Sequence, residues 1–237
     1  RRQRQMCIRD RFYIKYNNRM RVWKDVEPYY EYLISVDVSL GRDRDYSSFH
    51  VINMYNGEQV AEFYSNRTPI NEFAEIIAGE GKLYNNAYVL VERNTIGNNL
   101  IDWLLNILEY ENLWTDEKGE IGFQVNTKNR EELLAGLEEA LRVKMIKINS
   151  ERTVKELLTF VFTETGRIEA DTGKHDDLIA ALSLAVFGLK NLMDTTPGEF
   201  TKVPHKDRKP MAPISLKKYP INSHGGVTEE DIRWLMS

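Results

Sequence analysis

The sequence predicts an α/β fold with a mixed sheet, in which an antiparallel opening meander is followed by parallel strands and flanked by helices. Three observations carry this reading. Strand-like runs at Tyr32 to Ser39, Ser48 to Tyr55 and Gln59 to Tyr64 follow one another closely, separated by turn residues that include Asn56-Gly57, a strong hairpin signal. Beyond Thr68, helical periodicity alternates with short apolar runs such as Ala87 to Val91, the pattern of strands covered on both faces. Finally, Asp37 interrupts the otherwise apolar Leu33, Ile34, Val36 and Val38, and an ionised carboxylate there is costly unless a cation or a donor meets it.

At 237 residues and 42% hydrophobic content, the chain suffices for one good-sized domain with appended segments. We expect a basic linker or arm over residues 1–28, a domain over 29–193, and a Pro-rich tail over 194–237 that ends in a short helix. The single cysteine, Cys7, excludes an intrachain disulfide, and the absence of any ~20-residue apolar run argues against a membrane span or partner. A soluble protein of a reducing, cytoplasmic setting is the expectation. Net charge is −4 but uneven: residues 1–24 hold nine Lys or Arg against the one acid Asp10, leaving 23 bases and 35 acids, net −12, for the rest. A domain that acidic is an awkward polyanion binder unless cations or local basic patches offset part of the charge.

Along the chain, order is expected from about Val22 and Trp23, and Pro28 closes the arm. The first helix is predicted from Pro69 to Ile77, with Thr68 as cap and Gly79 and Gly81 ending it. The AGEGK string at Ala78 to Lys82 lacks the spacing of a phosphate loop and is set aside. Asn94 or Thr95 opens a helix that runs to Leu108, and Thr127 or Asn129 one that runs to Leu141. Ser150 caps another through Val161, and the last strong helix runs from about His175 to Leu189. Brief strands are expected at Gly122 to Val125 and Ile146 to Ile148, and an edge strand or hairpin after Gly166.

Acidic residues at three places in the chain invite one chemistry. Asp37 lies on the first strand of the meander, Glu92 ends the strand after the first helix, and Asp176 and Asp177 open the Ala-rich last helix. If the two strands are neighbours, their acids meet at one sheet edge, and a close-packed helix start delivers the aspartates there. Carboxylates that converge without a base repel one another and raise their own pKa values, which divalent cations relieve. Oxygen-only donors favour Mg²⁺ or Mn²⁺, and two such ions are the usual apparatus for phosphodiester hydrolysis. Each acid also has an ordinary reading: a hydrogen-bonded strand Asp, a strand-end Glu, and capping residues at a helix start.

These residues resemble a family. DVSLGRDRDYSSFHVI around Asp37, VLVERNTIGNNLIDWL around Glu92 and GKHDDLIAALSLAVFGL around Asp176 and Asp177 are together similar to the nuclease domain of the large terminase subunit of tailed bacteriophages. The resemblance spans roughly Tyr29 to Lys190, and its most specific parts are E-x-N-x-x-G after a strand and HDDL before an Ala-rich helix. It implies a fold similar to ribonuclease H and a metal-dependent endonuclease that cuts double-stranded DNA concatemers during viral genome packaging in the host cell cytoplasm. Asp37, Glu92 and Asp177 would be catalytic, with Asp37 bridging two Mg²⁺ or Mn²⁺ ions, Glu92 holding one and Asp177 the other. Asp176 would be an auxiliary ligand or the true one. The implied partners are double-stranded DNA, an ATPase motor domain preceding this stretch, the small terminase subunit and the portal. Arg42, Arg44, Arg93, Lys128, Arg130 and Lys174 are the candidate contacts to DNA phosphates, and His175 reads as a solvent-exposed helix start. Alternatives are another nuclease of this architecture, such as a junction resolvase, and a non-catalytic module that binds DNA or the portal.

Overall fold

The structure, a computed structural model, describes residues 9–39, 46–158, 160–162, 168–170, 176–194 and 222–225. Arg42, Arg44, Lys174 and His175 lie outside these residues, as does the short helix expected near the end of the tail.

The meander is formed by β3 (Tyr32–Asp37), β4 (Ser47–Asn53) and β5 (Glu58–Ser65), each antiparallel to the next. Helix α1 (Ile70–Leu83) then crosses over to β6 (Tyr88–Val91), which runs parallel to β3 with Val36 opposite Val91. That parallel pair sets the site, because it brings the carboxyl ends of two strands side by side. The sheet extends in the other direction through β2 (Met20–Val22), β1 (Arg9–Lys15) and β9 (Asn222–Gly225), in the order β6-β3-β4-β5-β2-β1-β9. A separate hairpin pairs β7 (Phe160–Phe162) with β8 (Ile168–Ala170).

Two expectations about the ends of the chain change here. The stretch read as an arm is part of the sheet from Arg9 onward: Met20 and Val22 are buried, and β2 pairs with β5. Strand β9 falls within the stretch read as an extended tail and pairs with β1. A three-residue strand in a basic context carries too little periodicity to be read locally. What holds it is the neighbouring strand.

Alternation along each strand builds two different faces. Ile34, Val36, Phe49, Val51, Ala61, Phe63, Val89 and Val91 point to the α1 side, where Phe49, Phe63 and Phe73 stack with centroids 5.1–6.0 Å apart. Leu33, Ile52 and Leu90 point to the other side, which is covered by α3 (Thr127–Arg142) and α5 (Asp177–Asp194). Helix α5 lies close on β3 because its inward residues are small. A methyl on Gly188 would come within 2.8 Å of Leu33 and 3.0 Å of Leu90, and Ala181 and Ala185 are fully buried.

Helix α1 continues past its predicted end through Gly79 and Gly81 to Leu83. Two helical glycines cost about 1 kcal/mol each, and burial of Ile76, Ile77 and Ala78 opposes that cost, while Glu80 gains bonds from Lys15 and from Tyr16 (2.6 Å). Helix α2 (Thr95–Asp102) runs into a π-helical turn over Trp103–Ile107, and α4 (Glu151–Leu157), capped by Ser150, stops short of the predicted Val161. The strands expected near Gly122 and Ile146 are only single parallel bridges, Glu92 with Phe123 and Glu58 with Lys147.

Candidate metal centre at the carboxyl edge of the sheet

Strand β3 ends on Asp37 and β6 is followed at once by Glu92, whose backbone N–H donates to Val36 O at 2.9 Å. The register of the parallel pair therefore places the two carboxyl groups side by side. The turn after Glu92 accounts for the E-x-N-x-x-G spacing. Asn94 caps α2 by accepting from the backbone N–H groups of Ile96 (3.0 Å) and Gly97 (2.7 Å). Gly97 packs on the carbonyl of Glu92, where a Cβ would lie 1.9 Å from the oxygen. The motif is a strand-to-helix turn that fixes the backbone from which the Glu92 side chain projects.

The aspartates arrive from α5, whose first turn is held from three sides. Ser48 Oγ donates to Asp177 O at 2.8 Å, and His50 Nε2 donates to Leu178 O at 2.9 Å. Behind His50, Gln59 Nε2 donates to His50 Nδ1 (2.7 Å), which fixes the tautomer. Farther along the same face, buried Glu62 accepts from Thr153 (2.5 Å) and pairs with Arg152 (2.7 Å). From α4, Glu156 Oε1 accepts from the Leu178 and Ile179 N–H groups at 2.9 and 3.2 Å, capping the helix from outside it.

The result is a cleft of about 200 Å³ lined by Asp37, Glu92, Asp176, Arg130, Val125, Leu133, Leu134, Ala180 and Ser183. Of the two aspartates it is Asp176 that lines it, whereas Asp177 Oδ1 accepts from the Tyr46 N–H at 3.3 Å. The acids perturb one another. Burial first, then the charge and hydrogen bond of Glu92, then Asp177 and Asp176, push the Asp37 carboxyl well above the carboxylate range. Glu156 is pushed up to about 8, chiefly by burial, with the backbone N–H groups of α5 pulling the other way and Asp177 and Asp176 adding to the rise.

The remaining candidates sort by what they touch. Arg130 pairs with Asp176 inside the cleft. Arg93 is engaged by Glu120 and by Asp116 (3.8 Å), and Lys128 is exposed on the first turn of α3. Missed by sequence reasoning were Ser48, His50, Gln59 and Glu156. A buried His alternating with Ser48 and Ile52 on one strand was a usable signal for the first two; Glu156 gave none, since its partners lie 22 and 23 residues on.

Among the described residues, no group of three or more His, Cys, Asp or Glu side chains stands arranged around a single point as ion ligands do. The donor set nonetheless suits a hard divalent cation: Asp37, Glu92 and Asp176 supply only carboxylate oxygens to one cleft. No described helix is long and apolar enough to cross a membrane.

No family model matches the sequence. Among solved structures, the large terminase nuclease from thermophilic phage G20c with bound magnesium superposes with a TM-score of 0.61 at 19% identity, covering 73% of this chain and 89% of that one. The same protein with bound cobalt gives 0.61 at 20% with the same coverage. The large terminase nuclease domain of Thermus phage P74-26 gives 0.58 at 21%, covering 73% of this chain and 86% of that chain. The mixed sheet and its flanking helices thus have the fold of the large terminase nuclease domains of thermophilic phages.

Proposed function

We propose that this chain is a divalent-metal-dependent endonuclease that cuts double-stranded DNA concatemers during phage genome packaging. The observation that carries the reading is the gathering of Asp37, Glu92 and Asp176 around one cleft at the carboxyl ends of two neighbouring parallel strands. Such crowding is relieved by cations of charge two, and the likeness in fold to nucleases with bound magnesium and cobalt supports the same use here.

Asp37, Glu92, Asp176 and Asp177 would hold two Mg²⁺ or Mn²⁺ ions. When bound, these would lower the pKa of the attacking water and stabilise the leaving oxygen of the phosphodiester. The chain's own residues do the rest. The parallel register sets Asp37 beside Glu92, and the Asn94-capped turn fixes the backbone from which Glu92 projects. Ser48, His50 and Glu156 hold the first turn of α5 so that its aspartates do not retreat from the edge. Two bases near the cleft, the exposed Lys128 and the half-buried Arg130, meet backbone phosphates without reading sequence. A preceding motor domain, the small terminase subunit and the portal are the partners this reading carries.

A second reading, a non-catalytic module that binds DNA or the portal, is favoured by the side chains not standing as a ligand set among the described residues. Plasmid cleavage separates the two. The nuclease reading expects Mn²⁺-dependent nicking and linearisation of supercoiled plasmid that Asp37→Asn and Glu92→Gln each abolish; undiminished cleavage by either variant rejects it.

A further inference from the structure

The acids of the cleft are not waiting alone. Among the described residues lining it, Arg130 is the one base, and its guanidinium contacts Asp176 Oδ2. The Cα of Arg130 is fixed, because Asn126 and Asn129 cap α3 reciprocally and the Arg130 N–H donates to Asn126 O at 2.9 Å. The side chain is not fixed in the same way: Arg130 is 41% exposed and Asp176 39% exposed, and ion pairs so open to water are weakly held.

Building on the metal-dependent reading, we propose that Arg130 is an exchangeable cation, which competes with the divalent ion for Asp176 and, once displaced, binds a phosphate of the DNA strand being cut. The exchange follows from charge. Asp176 paired to a guanidinium cannot offer the same oxygen to an ion, so ion binding must first overcome that pair. The freed guanidinium stays tethered at the cleft wall, beside carboxylates whose charge the ions would then offset. A phosphate oxyanion is the partner that both attract. A guanidinium suits both stages, since it stays charged at any working pH and its planar fork fits carboxylate and phosphate alike. The two roles act in opposite directions, weakening ion binding and speeding cleavage.

Calorimetric titration of Mn²⁺ into the full 237-residue chain, with plasmid cleavage at saturating Mn²⁺, tests this. Arg130→Gln is expected to bind Mn²⁺ at least about 5-fold more tightly and to cleave about 100-fold more slowly. Arg130→Lys keeps the charge but loses the fork, so its Mn²⁺ affinity should stay within about 2-fold of the parent while its cleavage is slowed. A side chain that merely supports the fold would weaken both readouts together. Unchanged or weaker Mn²⁺ binding in Arg130→Gln overturns the proposal, and so does tighter binding with cleavage at the parent rate. Should Arg130→Gln fail to fold, Arg130→Lys decides alone: parent-rate cleavage overturns the proposal. If the parent itself binds no Mn²⁺ at millimolar concentration, the nuclease reading has failed and this proposal with it. Parent binding with no gain in Arg130→Gln overturns this proposal and leaves the nuclease reading standing.

Discussion

The two faces of the central sheet are made by alternate residues of the same strands, yet they are different materials. On the α1 side, Phe49, Phe63 and Phe73 form a dry stack. On the α5 side, Ser35, Ser48, His50, Gln59 and Glu62 are all buried, and a hydrogen-bonded chain runs from Glu62 and Gln59 through His50 to the Leu178 carbonyl. The apolar face supplies stability by excluding water. The polar face gives up some of that stability to fix one helix start against one strand end, since buried polar groups specify position only when their bonds are made. Stability and the candidate metal centre should therefore come apart under mutation.

The largest effect is expected on the dry face. Phe63→Ala removes a fully buried ring and should cost about 3–5 kcal/mol of unfolding free energy. Mn²⁺ affinity of the molecules that remain folded should stay near the parent value, and a large loss of affinity would break the comparison. On the polar face, Glu62→Gln leaves Arg152 without its buried counter-charge and should cost roughly 3 kcal/mol. Here Mn²⁺ affinity should fall as well, by about 10-fold or more, because the chain that positions the first turn of α5 is cut. Urea unfolding and calorimetry on both variants give the two numbers side by side.

Smaller still is a pH effect. Glu156 titrates near 4.5 when unfolded and is raised to about 8 when folded. The folded state thus binds its proton more tightly, and this contribution is complete at low pH and is lost as pH rises from about 4.5 to about 8. With EDTA present, Glu156→Gln should flatten the decline between pH 5 and pH 8 by about 1–2 kcal/mol, less than the whole shift implies because the group is only partly buried. An unchanged profile would mean that the group titrates normally.

Much of the site was legible because its parts are local. Asp37 stands out against Leu33, Ile34, Val36 and Val38, and Glu92, Asn94 and Gly97 form one turn whose spacing is its geometry. The meander and the parallel β3–β6 pair were likewise written in turn residues and apolar runs. What could not be read depends on partners distant in the chain. Nothing within residues 9–22 says that β2 will find β5, and nothing near Glu156 says that it will cap α5. Which aspartate faces the cleft was equally closed to periodicity, since Asp176 and Asp177 are neighbours whose directions are set by Arg130 and by the Tyr46 N–H.

Whether Asp37, Glu92 and the aspartates at the start of α5 bind divalent cations together is tested most directly by anomalous diffraction from crystals soaked in Mn²⁺. The expected result is Mn²⁺ density between Asp37 and Glu92 and between Asp37 and the Asp176/Asp177 pair, with Arg130 drawn away from Asp176. Crystals soaked at millimolar Mn²⁺ that show no density at this edge, and retain the Arg130 ion pair, would contradict it.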